Sequence, residues 1–264
     1  MIHTDNELFG VVPIIPTPFT ENEEIDEDAL RSLIDFAIDG GIKAVCLPAY
    51  ASEFYKLTDD EKLQVVRVAV ERAAGRLKIV AQSNHPSLKV AIKLAQANVQ
   101  AGADVISLAV PRIFSLPENS LKAYLSEFLQ SIPNTPVLIQ DFNPGGSSIS
   151  VGFIKELMDE NPNFKYLKLE EPLCAPKFEQ IIQATNDKIG LFEGWGGLYM
   201  LELVPIGIRG SCRDWPWPTF CKGFSPCVPV EKMPKRSSCS SGSCRRYSSR
   251  CKTWSYSIMP RKNC

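Results

Sequence analysis

The sequence lacks the features of several classes of protein. No apolar run is long enough to span a bilayer, and residues 1–7 lack the basic and apolar regions of a secretion signal. No two cysteines form a C-x-x-C motif, no group of His, Cys, Asp or Glu has metal-ligand spacing, and no glycine cluster has the dinucleotide-binding spacing. We therefore expect a cytoplasmic protein that needs no metal and does not bind a membrane.

Charge and cysteine are distributed unevenly, with a break at residue 212. From Cys212 onward the chain has eleven basic and two acidic residues, which leaves 18 basic and 28 acidic residues before it. Seven of the nine cysteines lie from this point on, and only Cys46 and Cys174 precede it. The break divides the chain into an acidic domain, residues 1–211, and an irregular basic segment rich in Cys, Ser and Pro, residues 212–264.

Eight short apolar runs alternate with helical segments before the break. The predicted strands are residues 10–15, 44–47, 78–81, 105–110, 136–140, 164–169, 190–192 and 208–211. The helical segments between them begin at capping residues such as Asp26, Thr58, Ser87 and Ser150. This β/α alternation indicates a parallel sheet. Eight strands over roughly 200 residues favour a closed (β/α)8 TIM barrel over an open doubly wound sheet.

The candidate catalytic group is a lysine inside the sixth strand. Strand alternation puts Tyr166, Lys168 and Glu170 on one face, with two leucines on the other. A charged lysine is costly to bury, so we expect burial either to lower the pKa of Lys168 or to pair the amine. An amine with a lowered pKa forms Schiff bases with carbonyl compounds. The alternative is a lysine at a strand end that pairs with Glu170 in solvent.

In such a barrel the active site lies at the carboxyl ends of the strands, and Lys168 lies near the end of the sixth. This position favours the nucleophile interpretation. The other polar residues at these ends are Thr17, Ser52, Glu53, Ser83, Asn84, His85, Arg112, Gln140, Asp141, Asn143, Glu170 and Glu193. The glycine cluster 194–197, after the seventh strand, can receive an anion or form a simple turn.

Residues 10–211, about four-fifths of the chain, resemble the dihydrodipicolinate synthase and N-acetylneuraminate lyase family. The matching fragments occur in family order: Pro16-Thr17-Pro18-Phe19, Ile25-Asp26, Glu53 with Leu57-Thr58 and Glu61, Ala101-Gly102-Ala103-Asp104, Pro111, Pro144 and Lys168-x-Glu170. The resemblance implies a (β/α)8 barrel and a homo-oligomer, usually a tetramer, if the barrel is intact. It also implies a lyase that holds pyruvate or another 2-keto acid as an imine on Lys168, without a cofactor.

Four positions depart from the family pattern. Residues 49–53 read Ala-Tyr-Ala-Ser-Glu where the family has Gly-Thr-Thr-Gly-Glu, so the proton-relaying threonine hydroxyl is lost. Asp141 replaces the general acid–base tyrosine, Gly146 replaces a substrate-binding arginine, and residues 112–115 lack a tyrosine. These losses argue against 4-hydroxy-tetrahydrodipicolinate synthase and favour an aldolase or dehydratase that acts on sugar-derived 2-keto acids.

The resemblance also suggests a role for each candidate residue. Lys168 is the nucleophile, and Asp141 is the expected proton carrier with Tyr50 as the second candidate; either can instead be a hydrogen-bonded wall residue. Glu170 either pairs with Lys168 or orients a substrate hydroxyl. The expected substrate contacts are Thr17, near the amine, Ala51 and Ser52, whose turn offers backbone N–H groups to the carboxylate, Glu170 and Gly194.

Residues 212–264 show no helical periodicity, although a family member would continue with the eighth barrel helix. The segment can be a zinc or disulfide module, a basic tail that binds nucleic acid, or a stretch that is not family sequence. The abrupt change in charge, cysteine content and periodicity at one residue favours the last. We therefore expect no nucleic-acid partner and a barrel that lacks its last helix. An incomplete barrel makes a non-catalytic family member one alternative function. A second alternative is 4-hydroxy-tetrahydrodipicolinate synthase itself.

Overall fold

The computed structural model describes residues 7–112, 116–142 and 149–214. Within these ranges eight parallel strands close into one barrel in sequence order, so the predicted (β/α)8 barrel is confirmed. The strands are β1 (Gly10–Ile14), β2 (Ala44–Leu47), β3 (Lys78–Gln82), β4 (Val105–Ala109), β5 (Val137–Phe142), β6 (Phe164–Glu170), β7 (Gly190–Glu193) and β8 (Gly210–Asp214).

Helices connect the strands on the outside of the barrel. The α-helices are α1 (Glu27–Asp39), α2 (Asp59–Ala73), α3 (Leu88–Gln100), α4 (Glu118–Gln130), α5 (Val151–Glu160), α6 (Ala175–Thr185) and α7 (Met200–Leu203). Three short 3₁₀ turns add to them: η1 (Tyr50–Ser52), η2 (Phe54–Lys56) and η3 (Val204–Ile206). No helix in the described ranges combines the length and apolar character needed to cross a membrane.

Polar side chains begin several helices where the sequence predicts them. Asp26, Thr58 and Ser150 each accept a backbone N–H in the first turn of α1, α2 and α5. Glu61 also accepts the Thr58 N–H at 2.7 Å, which completes a capping box. Ser87 lies at the N-cap of α3 but makes no capping bond with its side chain. Caps satisfy N–H groups that the first helical turn leaves unbonded, so they define where each loop ends.

Two apolar clusters cover the two faces of the strands. The outer cluster packs the strands against the helices. The lumen cluster consists of Leu8, Val12, Ile14, Ala44, Cys46, Ala49, Val80, Val105, Leu138, Tyr166, Phe192 and Cys212. Because both faces are buried, the strands read as nearly continuous apolar runs. The Tyr166 hydroxyl accepts the Leu8 N–H at 2.9 Å, which ties the segment before β1 to the amino end of the lumen.

Strands β1 and β8 close the barrel, from Gly10 paired with Gly210 to Ile14 paired with Asp214. A Cβ on Gly210 would lie 2.8 Å from the Gly10 carbonyl carbon, so only glycine lets the two strands approach this closely. Residues 212–214, which the sequence assigns to the basic segment, belong to the barrel because their backbone completes the pairing with β1. Residues 215–264 lie outside the described residues, so the loss of the last helix stays a prediction.

Candidate active site

Lys168 lies in the lumen near the carboxyl end of β6. Its partners on the neighbouring strands are Gln140 of β5 and Phe192 of β7. Leu167 and Leu169, the residues on either side of it, belong to the outer cluster beneath the helices. Strand alternation therefore points Lys168 inward, as the sequence predicts, and only 7% of its side chain is exposed.

Lys168 forms a buried ion pair with Glu170. The Lys168 Nζ lies 2.8 Å from Glu170 Oε1. Burial is the largest single influence and works to lower the pKa of Lys168, but the Glu170 carboxylate, with added contributions from Cys212 and Cys46, raises it, and together they hold this pKa above its ordinary value. The expectation that burial lowers the pKa of Lys168 is therefore wrong, and the expectation that the amine is paired is met. The pair lies in the lumen and not in solvent. To react as a nucleophile it must pass its proton to a base, and Glu170 is in contact with it.

Two thiols share the lumen with the amine. Burial raises the pKa of Cys46 to about 11 and that of Cys212 to about 12, and the charge on Lys168 opposes this only in part. A thiol with so high a pKa stays protonated near neutral pH and is a poor nucleophile. The Lys168 amine is the stronger candidate nucleophile because Glu170 Oε1, 2.8 Å from Nζ, can accept its proton.

Gly194, the residue after β7, lies against the Lys168–Glu170 pair. Its N–H donates to the Leu169 carbonyl at 3.2 Å. A Cβ on Gly194 would lie 2.8 Å from Glu170 Cδ, closer still to Glu170 Cγ, and 2.9 Å from Lys168 Cε. Glycine at this position lets the backbone form one wall of the site, so the structure brings Gly194 to the candidate nucleophile.

The glycine cluster after β7 is held by a carboxylate of the protein itself. Glu193 is fully buried and accepts the Trp195 N–H at 2.9 Å and the Gly197 N–H at 2.6 Å. It also accepts the Ser211 hydroxyl at 2.7 Å. Because these N–H groups already have an anionic partner, the contacts favour the turn interpretation of residues 194–197 over an external anion site.

Two glutamines connect β3 and β5 to Glu170 across the lumen. Gln140 Nε2 donates to Glu170 Oε1 at 2.5 Å, and Gln82 Nε2 donates to Gln140 Oε1 at 2.6 Å. The sequence places Gln140 at the mouth of the barrel, but the predicted third strand ends at residue 81 and misses Gln82. Counting two residues on from the lumen-facing Val80 would have found it.

The turn after β2 brings Thr17 and Ser52 together. Thr17 Oγ1 donates to the Ser52 carbonyl at 2.9 Å. Ser52 Oγ donates to the Ile15 carbonyl at 2.5 Å and accepts the Ala49 N–H at 2.9 Å. The Ser52 N–H donates to the Ala49 carbonyl, so the polar groups of Ser52 brace the turn. The first N–H groups of a helical turn have no acceptor within the turn, and Ala51 lies in this part of η1. Because the Ser52 N–H is already bonded, Ala51 is the better candidate to bind the carboxylate.

Tyr50 lies at the mouth of the lumen, close to the ion pair. Its ring contacts those of Phe142 and Phe54, with centroids 5.3 Å and 5.1 Å away. Burial raises the pKa of Tyr50, the Glu170 carboxylate raises it further, and the Lys168 charge partly offsets both. The phenol is therefore protonated at neutral pH, near both charged groups. The phenol is thus within electrostatic range of Lys168 and Glu170, and its role as the second candidate proton carrier stays a prediction.

Asp141 does not face Lys168, which corrects the first candidate for proton carrier. It pairs in register with the outward-facing Leu169, and its neighbour Gln140 takes the lumen position. Asp141 is fully buried, lies 2.5 Å from the Arg112 guanidinium and accepts the Ile149 N–H at 2.8 Å. These contacts tie β5 to the start of α5 and match the wall-residue alternative. Gly146, Asn143 and residues 113–115 lie outside the described residues.

His85 serves the entry to α3. Its Nδ1 accepts the Ser87 N–H at 2.9 Å, and its carbonyl accepts the Tyr124 hydroxyl at 3.0 Å. In the described part of the chain, no three His, Cys, Asp or Glu side chains are arranged to hold a metal ion. Among the described residues, the groups around Lys168 include the Glu170 carboxylate, the amides of Gln140 and Gln82 and, within electrostatic range, the Tyr50 phenol.

Comparison with known proteins assigns the barrel to a family. Residues 7–213 match the model of the dihydrodipicolinate synthetase family. The chain belongs to this family. The match runs from just before β1 into β8, so it covers every strand that forms the site. The family and fold implied by the resemblance are therefore confirmed.

Curated members of the dihydrodipicolinate synthetase family include enzymes of different activity. The L-2-keto-3-deoxyarabonate dehydratase of Azospirillum brasilense is 27% identical over 213 residues, 79% of this chain and 69% of the relative. The 4-hydroxy-tetrahydrodipicolinate synthase of Methanococcus vannielii is 31% identical over 201 residues, 76% of this chain and 68% of the relative. The chain spans about two thirds of the length of the curated relatives it matches.

Solved structures of the family share the barrel. The crystal structure of dihydrodipicolinate synthase from Aquifex aeolicus matches with a TM-score of 0.72 at 26% identity, over 78% of this chain and 69% of that one. A dihydrodipicolinate synthase from Rhodopseudomonas palustris has a TM-score of 0.75 at 21% identity, over 82% of this chain and 73% of that one, which supports the fold alone.

Proposed function

We propose that this chain is a Schiff-base lyase, an aldolase or dehydratase that acts on pyruvate or a sugar-derived 2-keto acid through Lys168. The observation that carries the proposal is the place of the Lys168 amine, buried in the lumen near the carboxyl ends of the strands and 2.8 Å from a carboxylate oxygen. The active sites of (β/α)8 barrels lie at this end. The family match supports an enzyme that uses an imine on its own lysine in place of a cofactor.

The reaction begins with loss of the Lys168 proton to Glu170, whose oxygen already contacts Nζ. The neutral amine adds to the C2 carbonyl, and loss of water gives an imine. Once protonated, the imine draws electrons away from C3. Either the C3–C4 bond then breaks, or C3 loses a proton and a hydroxyl on C4 leaves as water. Both routes need a proton carrier beside the imine.

Tyr50 is the described side chain best placed for that proton transfer. Its pKa is raised by burial and by Glu170, so the phenol holds its proton until a stronger base forms nearby. A departing hydroxide or a carbanion at C3 is such a base. Gln140, which takes the lumen position on β5, cannot carry a proton at neutral pH because an amide does not titrate there.

The carboxylate of the keto acid is expected at the turn after β2. Ala51 and Tyr50 begin η1, so their N–H groups precede the hydrogen-bonded part of this turn. Hydrogen bonds from Thr17 to the Ser52 carbonyl and from Ser52 to the Ile15 carbonyl fix this turn to the segment that follows β1. This arrangement would orient C2 toward Lys168 while the rest of the substrate extends toward the mouth.

Two other functions remain candidates. 4-Hydroxy-tetrahydrodipicolinate synthase is favoured by the 31% identity to the Methanococcus vannielii relative. It is disfavoured by Gln140, which puts an amide where a titratable side chain would face Lys168. A non-catalytic member is the third candidate, because residues 215–264 do not resemble the family. A homo-oligomer and a small-molecule keto acid are the expected partners.

Borohydride reduction tests the imine directly. With pyruvate or a longer 2-keto acid, hydride from borohydride should convert the imine to a secondary amine and add the mass of the keto acid less one oxygen. Peptide mapping should place the adduct on Lys168. The Lys168→Ala variant should stay unmodified, and Lys165→Ala, which removes an exposed lysine of the same strand, should react like the unaltered protein. An unmodified wild-type protein would count decisively against the proposal.

A further inference from the structure

The lumen contains a directional chain of hydrogen bonds that ends at the carboxylate beside the nucleophile. It runs from Gln82 Nε2 to Gln140 Oε1 at 2.6 Å, and from Gln140 Nε2 to Glu170 Oε1 at 2.5 Å. Glu170 Oε1 is also the atom that Lys168 Nζ contacts at 2.8 Å. Gln82 is 3% exposed and Gln140 4%. One carboxylate oxygen is therefore held from two sides, by Gln140 and by Lys168.

The direction of the chain is imposed from the Glu170 end. An ionised carboxylate only accepts hydrogen bonds, so Gln140 must turn its amide nitrogen toward Glu170 and its oxygen toward β3. Gln82 must then present its own nitrogen to Gln140. As a result Gln82 Oε1 is buried without a hydrogen-bond partner among the described residues. A buried acceptor without a hydrogen bond destabilises the fold. The orientation of both amides is thus set by Glu170, and it leaves Gln82 Oε1 without a hydrogen bond among the described residues.

We infer that Gln140, anchored by Gln82, is a positioning residue for proton transfer from Lys168 to Glu170. The inference rests on the proposed function. Among the described residues, two groups hold the same oxygen of Glu170, and one of them is Lys168, the group that reacts. When Lys168 gives up its proton and becomes an imine, its bond to Glu170 is lost or weakened. Gln140 is the restraint that remains, so it keeps the carboxylate beside the nitrogen throughout the reaction.

The variants Gln140→Met and Gln82→Met test this role, because methionine keeps the length of the side chain but has no amide. The measured quantity is the rate at which pyruvate is trapped on Lys168. The reductant is in excess, so that imine formation limits this rate. Gln140→Met should lower the maximal rate about 10–100-fold, a part of the ~10²–10⁴-fold that a positioned proton carrier contributes. The pyruvate concentration for half-maximal rate should change little, because Gln140 positions the base and not the keto acid.

Gln82→Met should lower the same rate about 2–10-fold, the equivalent of one neutral hydrogen bond. Gln82 acts only through Gln140, so the double variant should be as slow as Gln140→Met and no slower. Gln100→Met, on the exposed side of α3, is the matched control and should trap at the wild-type rate.

A merely structural role predicts a different result, in which the two losses multiply or only the half-maximal concentration changes. Either of those results, or a wild-type rate in Gln140→Met, overturns the inference. If Gln140→Met does not fold, Gln82→Met decides alone, and a wild-type rate in that variant is the contrary result. A wild-type protein that traps no keto acid at Lys168 defeats the proposed function itself, which is a separate and recognisable failure.

Discussion

The Gly194 backbone packs against the Glu170 side chain so closely that no Cβ fits between them. A Cβ at this position would lie 2.8 Å from Glu170 Cδ and 2.9 Å from Lys168 Cε. The ion pair at the centre of the site therefore depends on a glycine from the neighbouring strand end. This contact makes Gly194 a position at which even one added methyl group should disrupt the ion pair.

We expect Gly194→Ala to abolish keto-acid trapping at Lys168 in a protein that still folds, because the added methyl group displaces both members of the ion pair. Borohydride trapping followed by mass spectrometry measures the loss, and a circular dichroism melt checks the fold. Gly152→Ala is the matched control, since a Cβ there would meet only Ser150 Oγ at 3.9 Å. That substitution in α5 should stabilise the protein by about 0.5–1 kcal/mol and leave trapping intact. Normal trapping in Gly194→Ala would show that the observed packing is irrelevant to the site.

Replacing Glu170 by glutamine should shift the pH dependence of Lys168 reactivity to lower pH. Burial lowers the pKa of Lys168 and Glu170 is the main group that raises it, so the pKa falls when this carboxylate is removed. The amine is then neutral over a wider range on the acid side. Cyanoborohydride trapping of pyruvate between about pH 6 and about pH 10 measures the profile.

The control for this experiment is Glu171→Gln, the same substitution one residue further on. Glu171 pairs with Lys177 at 2.9 Å, outside the lumen strand, so its removal should leave the profile of Lys168 unchanged. If the profile of Glu170→Gln moves to higher pH or stays where it was, the assigned cause of the raised pKa of Lys168 is wrong.

Tyr50→Phe should separate imine formation from the proton transfer that follows. The variant keeps the aromatic contacts of the ring but loses the phenol, so Lys168 should still be trapped with pyruvate. Exchange of the C3 hydrogens of pyruvate with deuterated water, followed by NMR, should slow about 10²–10⁴-fold. Tyr55→Phe, at an exposed tyrosine of η2, should exchange at the wild-type rate. Undiminished exchange in Tyr50→Phe would assign the proton transfer to another group.

Asp141→Asn should cost stability and spare the chemistry. Asp141 is fully buried and holds both the Arg112 guanidinium and the Ile149 N–H, so loss of its charge should lower the free energy of unfolding by about 1–3 kcal/mol. Urea unfolding measures this change, and trapping at Lys168 should persist. Asp28→Asn, at an exposed residue of α1, should alter stability by less than about 0.5 kcal/mol. A stable Asp141→Asn protein that no longer traps would restore Asp141 to a catalytic role.

Strands β6 and β5 show why one lumen residue was predictable and its partner was not. In β6 Lys168 stands between two leucines. Apolar side chains pack against the helices, so the leucines mark the outer face of the strand and Lys168 is predicted to face the lumen. In β5 the residues before Gln140 are apolar on both faces, because a barrel strand is buried on both sides. The sequence therefore does not show which residues of β5 face the lumen. The register of β5 with β6 shows that Gln140 faces it and Asp141 does not.

The amino-acid sequence by itself determined the order of strands and helices, the caps that begin α1, α2 and α5, the family, and the inward face of β6. These features depend on residues close together in the chain, whose periodicity and capping chemistry are local. Only the tertiary structure decided what surrounds Lys168. Gln140 and Glu170 are 30 residues apart and Gln82 and Gln140 are 58, and they meet because strand closure places their side chains in one lumen. The burial that works against Glu170 in setting the pKa of Lys168 follows from the same closure, because it needs the walls of the whole barrel and not the residues of one strand.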